Sequence, residues 1–330
     1  MSLRILITDH PGATIDVERD VLSAIDAEIV VAPATDPATL ATLAGDVDAI
    51  ITCFAQVTAD VLEAAVRCRT VARTGVGVDN IDVKRATELG MVVSNVPEYC
   101  TDEVADHTLM LVLALARRLP PLVADTASGG WNRNLTAVPT RLRGKTLALL
   151  GTGAIGRAVT SRAQAIGLEV VTVERGRPVP AGVRTVPTVI ELLRTADVVS
   201  LHLPLTAETA GIIDREALTA MKPTAVLVNT ARGALIDTDA LTEALAAGQI
   251  AGAALDVTEP EPLPAGHPLR ALPTAILTPH IAFSSDGSLA DLSRKAATNV
   301  LDALSGRVPA SVVNPEIQPD SERRTQAGER

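Results

Sequence analysis

Aromatic side chains are nearly absent: 330 residues hold one tryptophan, one tyrosine and two phenylalanines. The interior must be filled by aliphatic side chains, which says nothing of function. Cysteine is scarce as well. Cys53, Cys68 and Cys100 are odd in number and lack Cys-x-x-Cys spacing. A disulfide scaffold and a zinc site are therefore disfavoured, and no metal is expected. Basic charge is in deficit, with 29 lysines and arginines against 39 aspartates and glutamates and a net charge of −10. Nucleic acid is thus a poor partner, because phosphate binding needs a basic face. No apolar run reaches the ~18 residues of a membrane span. The longest candidate, residues 109–116, is flanked by His107 and Arg117 and reads as a buried helix. Residues 3–8 are short and strand-like, unlike a signal peptide. The expectation is a soluble, cytoplasmic protein without a membrane partner.

What is present is a long alternation of apolar, β-branched runs and helical patterns. Residues 3–7, 29–31, 49–52 and 70–73 read as strands. A second series follows at 147–150, 170–173, 198–201, 226–228, 253–255 and 276–278. These runs are nearly continuous in hydrophobicity, as expected of parallel strands covered on both faces. Two such series predict two α/β units, each with its own parallel sheet. Helical spacing at 16–25 and 59–65 falls within the first series, and at 158–166 within the second. A helix over 101–119 is predicted between the series and another over 288–304 near the end. Residues 119–145 mix helix with connection. Beyond Pro315 the chain is polar and charged through residues 320–324, which reads as a frayed tail.

Gly151-Thr152-Gly153-Ala154-Ile155-Gly156 follows a strand run and opens a helical one. Only that context gives the pattern meaning. The first glycine permits a tight turn, the second lets backbone approach a pyrophosphate, and the third lets helix and strand pack closely. The helix N-terminus then offers N–H groups and partial positive charge to phosphates. The next strand run ends at Glu174, the expected partner of the adenosine ribose hydroxyls. An acid there favours NAD over NADP, while Arg175 and Arg177 are the groups that would hold a 2′-phosphate instead.

Three further segments follow strand runs: 229–233 with Arg232, 256–262 with Asp256, Glu259 and Glu261, and 278–282 with His280. Loops at strand C-termini face the ligand crevice of an open parallel sheet. Reduction of a 2-keto acid puts negative charge on the carbonyl oxygen as hydride arrives. Histidine suits the proton donation. A neighbouring carboxylate fixes its tautomer. Arginine pins a substrate carboxylate through its fork of donors.

These segments, with residues 74–82, 95–97, 104–107 and 201–206, make the chain resemble the D-isomer-specific 2-hydroxyacid dehydrogenase family up to about Pro315. The resemblance implies two Rossmann-like or flavodoxin-like domains with parallel sheets. A cofactor domain, 101–283, would be inserted into a substrate domain made of 1–100 plus 284–330. It implies the catalytic trio Arg232, Glu261 and His280, and hydride transfer between NAD(H) and a small 2-keto or 2-hydroxy acid. It further implies cofactor contacts from Thr101, Gly151, Gly153, Ala154, Ile155, Gly156, Glu174, His202, Pro204, Thr230, Ala231 and Asp256, the last at the nicotinamide carboxamide. Substrate contacts are implied for Gly75, Val76 and Gly77, whose N–H groups would hold the carboxylate. A homodimer through the cofactor domain is also implied, with residues 119–145 reaching across.

Residues 52–56 hold no cation for a phosphate, and no regulatory domain follows the tail helix, so phosphoglycerate is a disfavoured substrate. Residues 73–80 and 95–97 are similar to the C-terminal-binding-protein branch. In that comparison Arg73 and Phe283 fall at the substrate pocket. The branch supplies an alternative of another class, an NADH-sensing corepressor-like interaction protein. Phosphite oxidation on the same scaffold is a third reading.

Overall fold

The structure is a computed structural model, and it describes residues 2–133, 138–174, 179–317 and 319. Arg175, Arg177 and residues 320–324 lie outside the described residues, as does part of the 119–145 segment. The chain divides into two compact units, Met1–Tyr99 with Ser285–Arg330, and Cys100–Ser284.

In the first unit the elements run β1 (Leu3–Ile7), α1 (Asp16–Leu22), β2 (Ala27–Val31), α2 (Pro37–Ala44), β3 (Ala49–Thr52), α3 (Ala59–Ala64), β4 (Thr70–Arg73), α4 (Val83–Glu88) and β5 (Val92–Ser94). Among the described residues the strands form a five-stranded parallel sheet in the order β2-β1-β3-β4-β5. Alternation along each strand sends side chains to opposite faces. Leu6, Ile50, Val71 and Val93 pack beneath α2, α3 and α4 with Leu40, Val61 and Ala86. Ile5, Ile7, Ile51 and Ala72 face the other way, onto Leu22 of α1 and onto Ala297, Val300 and Leu304. Those last three come from the far end of the chain.

The second unit contains α5 (Thr101–Ala116), α6 (Leu119–Ala127), β6 (Thr146–Leu150), α7 (Ala154–Ala165), β7 (Glu169–Val173), β8 (Arg184–Val186), α8 (Val189–Thr195), β9 (Val198–Leu201), α9 (Arg215–Ala220), β10 (Val226–Asn229), α10 (Thr238–Ala246), β11 (Gly252–Leu255) and β12 (Ala275–Leu277). Its described strands form a seven-stranded parallel sheet, β12-β11-β10-β9-β6-β7-β8. The strand order reverses between β6 and β9, which is where open α/β sheets place their ligands. Leu147, Leu149 and Val170 pack against Leu111 and Val112 of α5 and Val159 of α7. Ala148, Leu150, Val199 and Leu227 pack against α8, α9 and α10. The chain then returns to the first unit as α11 (Asp286–Leu304).

The helix expected over 101–119 stops at Ala116. Arg118 takes a left-handed φ of 53°, and Pro120 and Pro121 sit in the first turn of α6. Proline is tolerated there because that turn has no N–H partner to lose, whereas it would break α5 if the helix continued. Helix α7 begins at Ala154, earlier than apolar spacing implied, because its first turn is the glycine motif itself. Among the described residues no single helix is long and apolar enough to cross a membrane.

Candidate active site

The glycine motif joins β6 to α7 at the point where the strand order reverses. Gly151 has φ 107°, and a Cβ on it would run into the His202 carbonyl. A Cβ on Gly156 would meet the Gly151 carbonyl. These two contacts bring loop and helix close. Gly153 differs, since a Cβ there meets nothing within 4 Å. It is the N-cap of α7, and no side chain caps the helix. By contrast, α8, α9 and α10 are capped by Thr188, Asp214 and Asp237. The first turn of α7, with Ala154 and Ile155, therefore keeps backbone N–H groups beside open space, which fits a dinucleotide pyrophosphate.

Of the remaining cofactor candidates, all but Thr101 follow the C-termini of strands in the same sheet. Glu174 is exposed immediately after β7. His202 follows β9, with Nε2 2.8 Å from Ser200 Oγ, and burial pushes its pKa down to about 4. It is a neutral ring at physiological pH. Pro204, two residues on, is exposed. Thr230 Oγ1 lies 2.8 Å from Thr108 Oγ1 of α5. The Ala231 N–H donates to Asn229 Oδ1 at 3.0 Å. Thr101 is the first residue of α5 and half-buried.

His280 and Glu261 meet directly, with Nδ1 2.5 Å from Oε1. The Phe283 ring stands edge-on to the imidazole, centroids 6.2 Å apart. His280 has a left-handed φ of 51°, a conformation that disfavours any residue with a Cβ. It is held there by Asp256, which is buried. Asp256 Oδ1 accepts from Thr278 Oγ1 at 2.5 Å and from the Ile281 N–H at 3.0 Å, and Oδ2 from the Ala282 N–H at 2.9 Å. His107 Nε2 joins this cluster 3.2 Å from Thr278 Oγ1. The Asp256 carboxylate, which the family resemblance places at the nicotinamide carboxamide, ties down the turn that carries His280.

Arg232 is placed by Asn229, whose buried side chain donates to the Arg232 carbonyl at 2.7 Å. Arg232 Nη1 donates to the Ala231 carbonyl at 2.7 Å. The next residue, Gly233, lies so close to Thr258 that a Cβ would collide with the Thr258 carbonyl group. The arginine loop and the acidic loop are thus in backbone contact. Asn229, Gly233, Thr278 and His107 were not singled out from the sequence. Their signal exists only as spacing around the residues they hold.

In the first unit, Arg73 ends β4 and is buried, its guanidinium lying over Gly75 so closely that a Cβ there would overlap it. The Gly75 carbonyl accepts from the Val96 N–H at 2.9 Å, and that of Val76 from Asn95 Nδ2 at 2.6 Å. Gly77 follows in the same loop, and Val76 is exposed at it.

Residues 109–282 match the model of the D-isomer-specific 2-hydroxyacid dehydrogenase NAD-binding domain. The chain is 40% identical to a glyoxylate reductase from Aeropyrum pernix over 84% of this chain and 86% of that one. It is 41% identical to a D-3-phosphoglycerate dehydrogenase from Methanocaldococcus jannaschii, over 78% of this chain but 50% of that one. The crystal structure of an NADPH-dependent glyoxylate/hydroxypyruvate reductase from Sinorhizobium meliloti, in complex with NADP and malonate, superposes with a TM-score of 0.88 at 30% identity, covering 97% of this chain and 99% of that one. None of the three is of the C-terminal-binding-protein branch, so that finer placement gains no support and the corepressor reading is not favoured. The chain belongs to the D-isomer-specific 2-hydroxyacid dehydrogenases, NAD-binding oxidoreductases that move a hydride between the nicotinamide and the C2 carbon of a 2-keto or 2-hydroxy acid.

Proposed function

We propose that the enzyme reduces a short 2-keto acid of the glyoxylate class with NADH, using His280 as proton donor, Arg232 as carboxylate anchor and Glu261 to orient His280. The observation that carries this reading is the 2.5 Å bond between His280 Nδ1 and Glu261 Oε1. It commits Nδ1 to the carboxylate and fixes the ring, and we assign proton donation to Nε2. Bound NADH supplies the hydride to C2. As charge grows on the carbonyl oxygen, His280 gives it a proton from Nε2. The Arg232 fork binds the substrate carboxylate and polarises the carbonyl. The 151–156 loop, shaped by Gly151 and Gly156, would hold the pyrophosphate at Gly153 and the first turn of α7, and Glu174 the adenosine ribose, which favours NADH over NADPH. Substrate recognition is assigned to the first unit, through Arg73 and the N–H groups of Gly75, Val76 and Gly77. Phe283, edge-on to His280, is assigned to the substrate side.

A homodimer through the second unit agrees with the exposed apolar side chains Leu119, Val123, Trp131 and Val138. Three buried cysteines, none of them in a disulfide, agree with residence in the reducing cytoplasm. The deciding experiment is NADH and NADPH oxidation with glyoxylate, hydroxypyruvate, pyruvate and phenylpyruvate. The expected result is highest kcat/KM for glyoxylate or hydroxypyruvate with NADH. Absence of turnover with every keto acid defeats the proposal. Equal efficiency with NADPH defeats the role of Glu174.

A further inference from the structure

The first sheet has its own reversal of strand order, between β1 and β3. In this architecture the loops after those two strands form the default ligand crevice. The loop after β3 is built as an anion cradle. Its three successive backbone N–H groups, those of Cys53, Phe54 and Ala55, converge on one point. Such a nest of N–H groups ordinarily receives a phosphate or carboxylate. Here it is filled from within by the carboxylate of Asp9, from the loop after β1. Oδ1 accepts from Cys53 at 2.8 Å, and Oδ2 from Phe54 at 2.6 Å and Ala55 at 3.2 Å. Thr8 Oγ1 lies 2.7 Å from Oδ1.

The carbonyl side of the same loop is also fixed. Asn80 Nδ2 donates to Cys53 O at 3.2 Å and to Ala55 O at 2.9 Å, and Thr52 Oγ1 donates to Ala55 O at 3.1 Å. Asn80 belongs to the loop that begins at Gly75, and the Thr74 N–H donates to Thr52 O at 2.8 Å. The two loops are therefore one knitted edge. Cys53 and Ala55 are buried in it, and the Phe54 ring is left 45% exposed.

We propose that Asp9 is a specificity-determining positioning residue, an internal anion that occupies the nest of residues 53–55 so that this loop presents the Phe54 ring, and no N–H donors, to the substrate group beyond C2. The proposal rests on the reading that the 75–77 loop holds the substrate carboxylate. A keto acid with a short uncharged group at C3 then meets an apolar wall. A phosphorylated one meets a loop whose anion donors are already taken by a carboxylate.

The test uses full-length enzyme with NADH, comparing wild type with Asp9→Ala and Asp9→Asn. Asparagine supplies one acceptor oxygen where the loop uses two, so it is a milder version of the same loss. The KM for hydroxypyruvate is expected to rise about tenfold in Asp9→Ala and by less in Asp9→Asn, with a much smaller change in kcat and none in NADH affinity. Inorganic phosphate is expected to inhibit Asp9→Ala competitively against the keto acid and to raise its Tm, and to do neither to wild type. The ratio of kcat/KM for phosphohydroxypyruvate over hydroxypyruvate is expected to rise in Asp9→Ala. A parallel fall in kcat and in NADH affinity, without a new response to phosphate, overturns the proposal and marks Asp9 as a general fold contact. If wild type reduces no keto acid, the functional reading fails. The phosphate-dependent Tm of Asp9→Ala then still decides whether the nest exists.

Discussion

Replacing His280 probes catalysis and backbone strain together. Its left-handed φ of 51° is imposed by the Asp256 carboxylate, which grips the N–H groups of Ile281 and Ala282, and by the His280 N–H donating to Asp256 O at 2.8 Å. Alanine keeps the Cβ and hence the strain, which is about 1–2 kcal/mol for an L-residue in this region. Glycine removes it and gives part back through greater freedom in the unfolded chain, leaving a net gain of about 1 kcal/mol over alanine. For a unit of this size that corresponds to a Tm about 2–4 °C higher. Asparagine, which tolerates the left-handed region, should fall between them. All three variants lose the proton donor, so kcat with the best keto acid should fall by a factor on the order of 10²–10⁴. NADH binding, followed by fluorescence titration, should be unchanged. Near-wild-type turnover in any of them refutes His280 as the acid. A His280→Gly enzyme no more stable than His280→Ala refutes the strain argument and leaves the catalytic one standing.

Arg232→Lys is expected to raise KM and lower kcat by a combined factor on the order of 10²–10³, since a point charge cannot replace a two-pronged donor; steady-state kinetics showing less than a threefold change would sink the assignment. Gly153→Val should weaken NADH binding by on the order of tenfold or more at little cost in stability, because its Cβ enters open space. Gly156→Ala should instead cost about 1–3 kcal/mol, read as Tm, because its Cβ meets the Gly151 carbonyl. The pair His10 and Glu18, 2.8 Å apart in the first unit, gives a pH dependence of stability. The hydrogen bond to Glu18 raises the His10 pKa above its usual 6.5, so its contribution is full below 6.5 and is lost as pH rises through the raised value. Burial alone would raise the Glu18 carboxyl, but hydrogen bonds from His10 and Ser293 hold it below 4.5, so its contribution is full above 4.5 and is lost as pH falls through the lowered value. The Tm difference between wild type and Glu18→Gln should therefore peak between about pH 4.5 and 6.5; a difference that is flat with pH counts against the pair.

Most strands were legible because parallel strands buried on both faces spell out nearly continuous apolar runs, as at β1, β3, β4 and β9, whose observed bounds match the expected ones. β5 and β8 were not read as strands. Each has three residues, and β8, at the sheet edge, has only Val186 to mark it as apolar. The phosphate loop could be read because its glycines recur at fixed local spacing. The bond between His280 and Glu261 brings together residues 19 apart that sit in two loops flagged by their chemistry. Asp9 gave no such signal. Its partners lie 44 to 46 residues away, and an acidic residue after a strand looks like any solvated loop charge. Asn229 stood beside flagged residues and Asp256 was itself flagged, yet their bonds to residues 231–232 and 278–282 depend on side-chain direction, which spacing does not encode.

The interruption of the first unit by the second bears on how the protein is made. The face of β1, β3 and β4 that carries Ile5, Ile7, Ile51 and Ala72 is roofed by Ala297, Val300 and Leu304 of α11. The edge strand β5 is closed by Val313, whose N–H donates to Val93 O, and by Asn314, which bonds Val93 and Met91. During synthesis on the ribosome these covering residues emerge only after all of the second unit. The second unit is contiguous and can complete its core as it appears, whereas the nascent first sheet must wait with one greasy face bare. That interval is when aggregation or chaperone capture competes with folding. Substitutions in α11 should therefore lower the yield of folded enzyme in cells by more than their effect on the stability of the purified protein accounts for.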